Sequence, residues 1–403
     1  MKKSIIFLFF TINLSLIIAQ SNFDVSAEIR PRFQMDNKDF NSDLPSNNFT
    51  ELRTRLGLKF SPTENIEGFV QIQDSRIYGT EPNTLTSTDN IDLHQAYFNV
   101  NKLFDLPFNL KLGRMELSYG PQRLIGAVGW HNVGRSFDGG ILQLNTEKIV
   151  IDFFTAQTNE SFEAGDTNDF NIIGAYVHLK GIDNYKIQPF LISELETATE
   201  LSRYTAGIYI IGNVGNLSHE VESDYQFGSI DEKVDISAYM LALNLNYTFN
   251  YLIKPEIGIG VDYLSGDDST YNKYNVFNTL YATNHKYYGF MDYFIDIPNN
   301  TFGLGLTDIH AKLAISPDNK FKAALAFHLF NSSEDYIYTT SDSPTIKKST
   351  SFGSEVDLTL IYSYNSAVKF QGGISLFSPG DIFKQIKGED AATWMYLMAI
   401  FNL

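Results

Sequence analysis

The most concentrated chemistry in this 403-residue sequence lies in its nine arginines: Arg30, Arg32, Arg53, Arg55, Arg76, Arg114, Arg123, Arg135 and Arg203. Eight of the nine precede residue 136, whereas the lysines show no such concentration. A guanidinium stays ionised and offers a planar fork of donors that fits a carboxylate or a phosphate. Arg30 and Arg32 stand two positions apart, as do Arg53 and Arg55, so on strands each pair shares one face. Glu28 and Glu51 fall on the same faces, a local count of four guanidiniums against two carboxylates. Two readings stay open. Arginine–carboxylate ladders could brace an interior, with Asp74, Asp92, Glu116 and Asp138 as further partners. Alternatively the surplus leaves a positive lining that draws anions through a pore, with Lys59 and Lys111 extending the field.

Other chemistries are thinly represented. Gln71, Gln73, Gln95, Tyr97 and Asn99 could hydrogen-bond sugar hydroxyls, or serve as ordinary polar filler. The seven histidines (94, 131, 178, 219, 285, 310 and 328) are scattered, and none stands beside a serine nucleophile in a catalytic pattern. His178, His310 and His328 fall in expected strands, where a structural or girdle role is read for them. There is no HExxH motif, and Asp267-Asp268 lacks the spacing of a calcium loop. No cysteine is present, which removes disulfides and thiol chemistry. The sequence therefore predicts neither an enzyme nor a bound metal or cofactor.

The elements that must position the arginines are strands. Phe23, Val25, Ala27, Ile29, Pro31 and Phe33 alternate with Asp24, Ser26, Glu28, Arg30, Arg32 and Gln34. Leu52, Thr54, Leu56, Leu58 and Phe60 alternate in the same way with Glu51, Arg53, Arg55, Gly57 and Lys59. One face is apolar and the other fully charged, as in a membrane barrel whose outside meets lipid and whose inside meets water. Short turns are expected near 61–65, 102–106, 145–148, 180–184, 212–216, 249–251, 316–320 and 364–367. Mostly longer polar connections are expected near 35–49, 77–90, 116–135, 158–169, 196–201, 229–233, 265–305, 331–350 and 379–391. The two kinds alternate and join eighteen strands. This predicts an all-β, antiparallel up-and-down transmembrane barrel with short periplasmic turns and long extracellular loops.

Met1-Lys2-Lys3 followed by the apolar run Ile5–Ile18 reads as a secretory signal peptide over residues 1–19, leaving 20–403 as one outer-membrane barrel of a Gram-negative cell. The net charge of −17 argues against nucleic-acid binding. Aromatics supply 14% of residues, and clusters such as Tyr247, Phe249 and Tyr251 suit interfacial girdles. The remaining acidity is expected on outer loops, for example at Glu163, Asp166 and Asp169 or at Asp267 and Asp268. Loop 265–305 or loop 116–135 is expected to fold inward, which would carry Arg123 and Arg135 to the channel axis.

By residue 135 the chain resembles the alginate export family of outer-membrane porins. The resemblance is carried by Thr50-Glu51-Leu52-Arg53-Thr54-Arg55-Leu56-Gly57, Gln71-Ile72-Gln73-Asp74-Ser75-Arg76 and His94-Gln95-Ala96-Tyr97. It continues through Leu112-Gly113-Arg114-Met115-Glu116-Leu117, Tyr119 to Gly126, and Gly134-Arg135-Ser136-Phe137-Asp138-Gly139. Later matches include Tyr288-Gly289-Phe290-Met291-Asp292, Gly305-Leu306-Thr307-Asp308 and Phe377-Ser378-Pro379-Gly380. The resemblance implies an eighteen-stranded barrel whose arginine-rich lumen passes a polyuronate. It makes Arg53, Arg55, Arg76, Arg114, Arg123 and Arg135 candidates for the selectivity lining, beside Arg30 and Arg32. The implied partners are outer-membrane lipid, an anionic oligo- or polysaccharide, and periplasmic secretion or uptake components. A general diffusion porin is the alternative.

Overall fold

The computed structural model describes residues 22–86, 90–159, 170–269, 272–340 and 343–403. The signal peptide expected over 1–19, and the loop acids Glu163, Asp166 and Asp169, lie outside these residues. The strands are β1 (Asn22–Asn37), β2 (Asn47–Thr63), β3 (Ile66–Ile77), β4 (Ile91–Val100), β5 (Phe108–Met115), β6 (Phe137–Asn145) and β7 (Ile149–Asn159). They continue as β8 (Phe170–Leu179), β9 (Tyr185–Glu196), β10 (Leu201–Val214), β11 (Leu217–Ser229), β12 (Asp235–Thr248) and β13 (Glu256–Leu264). The last are β14 (Lys273–Tyr274), β15 (Leu306–Ile315), β16 (Phe321–Thr340), β17 (Ser343–Ser363), β18 (Val368–Pro379) and β19 (Ala392–Asn402).

Each long strand pairs antiparallel with its successor. The two-residue β14 lies parallel beside β12 and leaves β13 to pair directly with β15. Last meets first: β19 runs along β1, from Glu28 opposite Asn402 to Asn37 opposite Thr393. Eighteen strands thus close into a barrel. Closure has a strict physical basis, because an unpaired strand edge in hydrocarbon would leave a row of backbone groups without partners.

The outer surface follows the alternation read from the sequence. Val25 and Ile29 on β1, Leu56 and Leu58 on β2, and Leu241, Leu243 and Leu245 on β12 are exposed, while Arg30, Arg32, Arg53, Met240 and Ala242 between them are buried. Rings collect on the outside near strand ends. Tyr247 and Phe249 meet edge to face at 4.8 Å beside a short turn. Tyr239 and Tyr263 stack at 5.6 Å near the opposite rim.

One connection differs from expectation. The sequence predicts a polar connection over 331–350, but β16 continues to Thr340 and β17 begins at Ser343, the two pairing as far as Thr340 opposite Ser343. Its alternating Tyr336 and Tyr338, opposite Ser349 and Lys347, favour a pleat over irregular backbone. Register shifts beside Asn331 and Tyr338 mark bulges, which keep it from being a simple extension of the wall.

The upper lumen is filled by loops. Segment 265–305 and segment 116–136 both fold inward and bond to each other. Tyr281 N–H donates to Leu124 O at 2.8 Å, and Gly126 N–H donates to Tyr281 O at 2.9 Å. An aromatic core anchors the second loop: Phe294 packs on Phe330 at 4.6 Å and stands 5.4 Å from Phe352, with Phe383 of the short helix Asp381–Ile386 closing over it. All four rings are fully buried.

Candidate functional site

The strand pairing of β1 with β2 sets Arg30 opposite Arg53, Glu28 opposite Arg55, and Arg32 opposite Glu51. Like charges facing each other would normally weaken a sheet. Here the inward loop 116–136 supplies the missing partners. Arg30 donates to the carbonyls of Gly129 at 2.7 Å, Trp130 at 3.1 Å and His131 at 3.2 Å. Arg53 donates to Gly129 O and His131 O, both at 3.0 Å, and to Glu28 at 2.6 and 3.1 Å. Arg32 pairs with Glu51 and donates to Trp130 O at 2.8 Å. Arg55 reaches Gln73 at 2.6 Å, Glu116 at 3.3 Å and Val133 O at 3.1 Å. Gly134 makes the last of these possible. Its φ of +81° suits glycine, and an added Cβ would come within 2.6 Å of the Arg55 guanidinium.

Farther along the first inward loop, Arg135 also bonds only carbonyls, those of Gly126, Tyr281 and Ala282. Among the described residues, Arg30 and Arg135 thus have no carboxylate within hydrogen-bond distance. Burial pushes the His131 imidazole below its ordinary value. Its Nδ1 accepts the Val133 N–H at 3.2 Å, which requires that nitrogen to be unprotonated.

The opposite wall is acidic. Glu194 on β9, Glu222 and Asp224 on β11, Asp262 on β13, Asp308 on β15, and Glu355 and Asp357 on β17 are all buried toward the interior. These inward carboxylates stand beside the acidity expected on outer loops and were not among the charge partners expected from the sequence. The wall's ion pairs are few. Arg203 binds Glu194 at 2.5 Å. Arg123 crosses from the first inward loop to pair with Asp262, with Glu222 at 3.5 Å. It therefore neutralises the acidic side and does not extend the basic one. Burial works against its charge, but Asp262, the Tyr288 and Tyr287 phenols and Glu222 outweigh it and hold the guanidinium protonated. The second inward loop meets this wall through an amide, as Met291 N–H donates to Glu355 at 2.8 Å.

Between the walls runs a stack of flat groups. The Arg32 guanidinium lies 4.3 Å over Trp130, Trp130 stacks on His285 at 4.4 Å, and His285 stacks on Phe290 at 5.1 Å. Asp292 fixes the imidazole at 2.6 Å. His285 borders two cavities. One of about 500 Å³ is lined by Arg32, Lys38, Trp130, Arg135, Asn284 and Asp292 among others. The other, about 260 Å³, is lined by Glu220, Lys286, His310, His328 and Asp357 among others. His285 of the stack thus lies in the lining of both.

The other candidate residues are dispersed. Arg76 pairs with Asp74 and with Glu81 at 3.2 Å, and Arg114 pairs with Asp138 at 2.6 Å; both arginines are only partly buried. Gln73 is consumed by Arg55, while Gln95 donates to Gln71 at 3.3 Å. Tyr97 lies beneath the Lys111 ammonium at 3.8 Å, and Lys59 is paired with Glu67 at 2.6 Å. The acidic wall went unread, although its i, i+2 runs Glu220-Glu222-Asp224 and Glu355-Asp357 carry the same signal as the arginine pairs. His310 and His328 face the interior and not a girdle.

The sequence profile of the alginate export family matches residues 21–396. Among solved structures, a BenF-like porin from Pseudomonas fluorescens Pf-5 superposes with a TM-score of 0.62 at 10% identity, covering 95% of this chain and 98% of that one. Pseudomonas aeruginosa OpdQ gives 0.61 at 11% identity, with 96% and 98% covered. Acinetobacter baumannii OccAB4 gives 0.59 at 12% identity, with 94% and 98% covered. At these identities the likeness is one of fold. A search of curated protein sequences finds no match.

Proposed function

The chain belongs to the alginate export family of outer-membrane channels, and from that premise we propose that it passes anionic saccharides, polyuronates among them, along its arginine-bearing wall. The observation that carries this reading is that, among the described residues, the hydrogen bonds of Arg30 and Arg135 go to carbonyls and not to a carboxylate, while Glu28, on the same face of β1 as Arg30, is engaged by Arg53. A polyuronate carries one carboxylate per sugar, and a wall of fixed cations in a narrow, partly desolvated passage concentrates it. Release needs weak, exchanging contacts, and guanidiniums already engaged by carbonyls cannot trap a carboxylate in a full bidentate clamp.

A second reading has its own support. Arg30, Arg32 and Arg53 all donate into the carbonyls of Gly129, Trp130 and His131, which is what a brace for an inward loop requires. In that case the protein is a general diffusion porin and the arginines hold the loop. Block of single-channel current separates the two. Uronate oligomers should interrupt current through the reconstituted barrel at concentrations where neutral oligosaccharides of equal length do not. Equal effects of both would favour the general porin.

A further inference from the structure

We infer that Asp308, His310 and His328 form a binding site for one first-row divalent cation of the zinc class on the lumen side of the β15–β16 wall. Asp308 and His310 stand two apart on β15 and share its inner face; His328 on β16 is the direct cross-strand partner of His310. Their donor atoms all lie within 4.8 Å of one another. Both imidazoles turn Nδ1 to the same carboxylate oxygen, Asp308 Oδ2, at 2.9 Å from His328 and 3.2 Å from His310. Ligands held about 2.0–2.2 Å from a zinc-class ion are separated from each other by about 3 Å, so these spacings match edges of a coordination shell.

The far side of one ring sharpens the argument. His310 Nε2 lies 2.8 Å from Asn244 Oδ1. A proton on Nε2 satisfies that amide oxygen and leaves the Nδ1 lone pair aimed at a carboxylate oxygen. Two lone pairs at 3.2 Å repel unless a cation sits against both. An outer partner that fixes the tautomer in this way is what metal-binding histidines show. The His328 ring is held in turn by stacking on Phe330 at 5.3 Å.

Asp308 is fully buried, and its second oxygen, Oδ1, has no hydrogen-bond partner among the described residues. Both histidines also line the cavity of about 260 Å³, so an ion has an approach and room for water ligands. The spacing 308, 310, 328 belongs to no metal motif. The inference is independent of which solute the channel carries. A proton making His310 an imidazolium is the competing way to fill the gap, and the test must tell the two apart.

The test uses the untagged full-length barrel, folded in detergent and stripped with chelator. Cobalt(II) titrated at neutral pH should give visible d–d bands that saturate at one ion per barrel, and calorimetry with zinc should give the same stoichiometry. His310→Ala and His328→Ala should each weaken zinc affinity by at least tenfold, with heat-modifiable mobility on gels confirming that the variants remain folded barrels. Asn244→Ala, which removes only the outer partner, should weaken it by about tenfold. If wild type takes up no ion, or its binding survives both histidine substitutions, the proposal is overturned.

Discussion

The two sides of the lumen hold their inward loops by opposite ends of the peptide dipole. On the basic side, β1 and β2 present guanidiniums, and loop 116–136 answers with the carbonyls of Gly129, Trp130, His131 and Val133. On the acidic side Glu355 presents a carboxylate, and loop 265–305 answers with the Met291 N–H. The consequences for charge differ. A carbonyl satisfies an arginine's donors without cancelling its charge, which is the case for Arg30, whereas Arg32, Arg53 and Arg55 also pair with Glu51, Glu28 and Glu116. Among the described residues the acidic wall is met by two arginines, Arg203 on β10 opposite Glu194 and Arg123 from the first inward loop beside Asp262 and Glu222. Net charge alone hides this arrangement, because −17 for the chain coexists with a cluster of four arginines on β1 and β2.

The largest break in this comparison should come from Arg123. Truncation to alanine leaves Asp262 buried without its counter-ion, a defect of about 3–5 kcal/mol. The urea midpoint of the barrel, followed by heat-modifiability, should fall accordingly. A shift no larger than that of a surface arginine would mean the acidic wall stands by itself.

Trp130→Ala should have a smaller effect on stability, about 1–2 kcal/mol from the lost ring and guanidinium stacking, but a visible effect on transport. It removes the flat group between Arg32 and His285, and single-channel conductance should rise. Unchanged conductance would show that the path lies elsewhere.

The smallest effect concerns an acid outside both walls. Ser42 donates its N–H and its hydroxyl to Asp390, both at 2.7 Å, and these bonds hold the Asp390 carboxyl below its ordinary value. A carboxylate with a depressed folded pKa contributes stability that is complete above its unfolded value and is lost as pH falls through the folded one. The contact between segments 38–46 and 380–391 should therefore be intact at neutral pH and fade below about pH 4. Hydrogen exchange at the Ser42 amide, corrected for intrinsic rate, should accelerate there in wild type; Ser42→Ala should remove the pH dependence at neighbouring amides.

Much of the barrel was legible because its physics is local. Alternation at β1 and β2 placed Arg30, Arg32, Arg53 and Arg55 on the inner face, and the short turns fell where the chain reverses. What the loops do was harder to read, because it is set by contacts distant in sequence: Arg123 with Asp262, Arg30 with Gly129, Trp130 with His285. The hairpin through 331–350 was missed because its polar residues resemble a loop when pairing is unknown. Asp308, His310 and His328 meet only through the β15–β16 register, which no motif encodes.

The central claim, that arginines bonded only to carbonyls give the lumen an anion-attracting wall, is tested most directly by zero-current potential across a planar bilayer under a potassium chloride gradient at low salt. Arg30→Gln keeps a donor for the loop carbonyls while removing the charge. The account predicts an anion preference in wild type that weakens in this variant and shrinks for both as salt rises. A wild type that prefers cations, or a variant whose potential equals that of wild type, would contradict it.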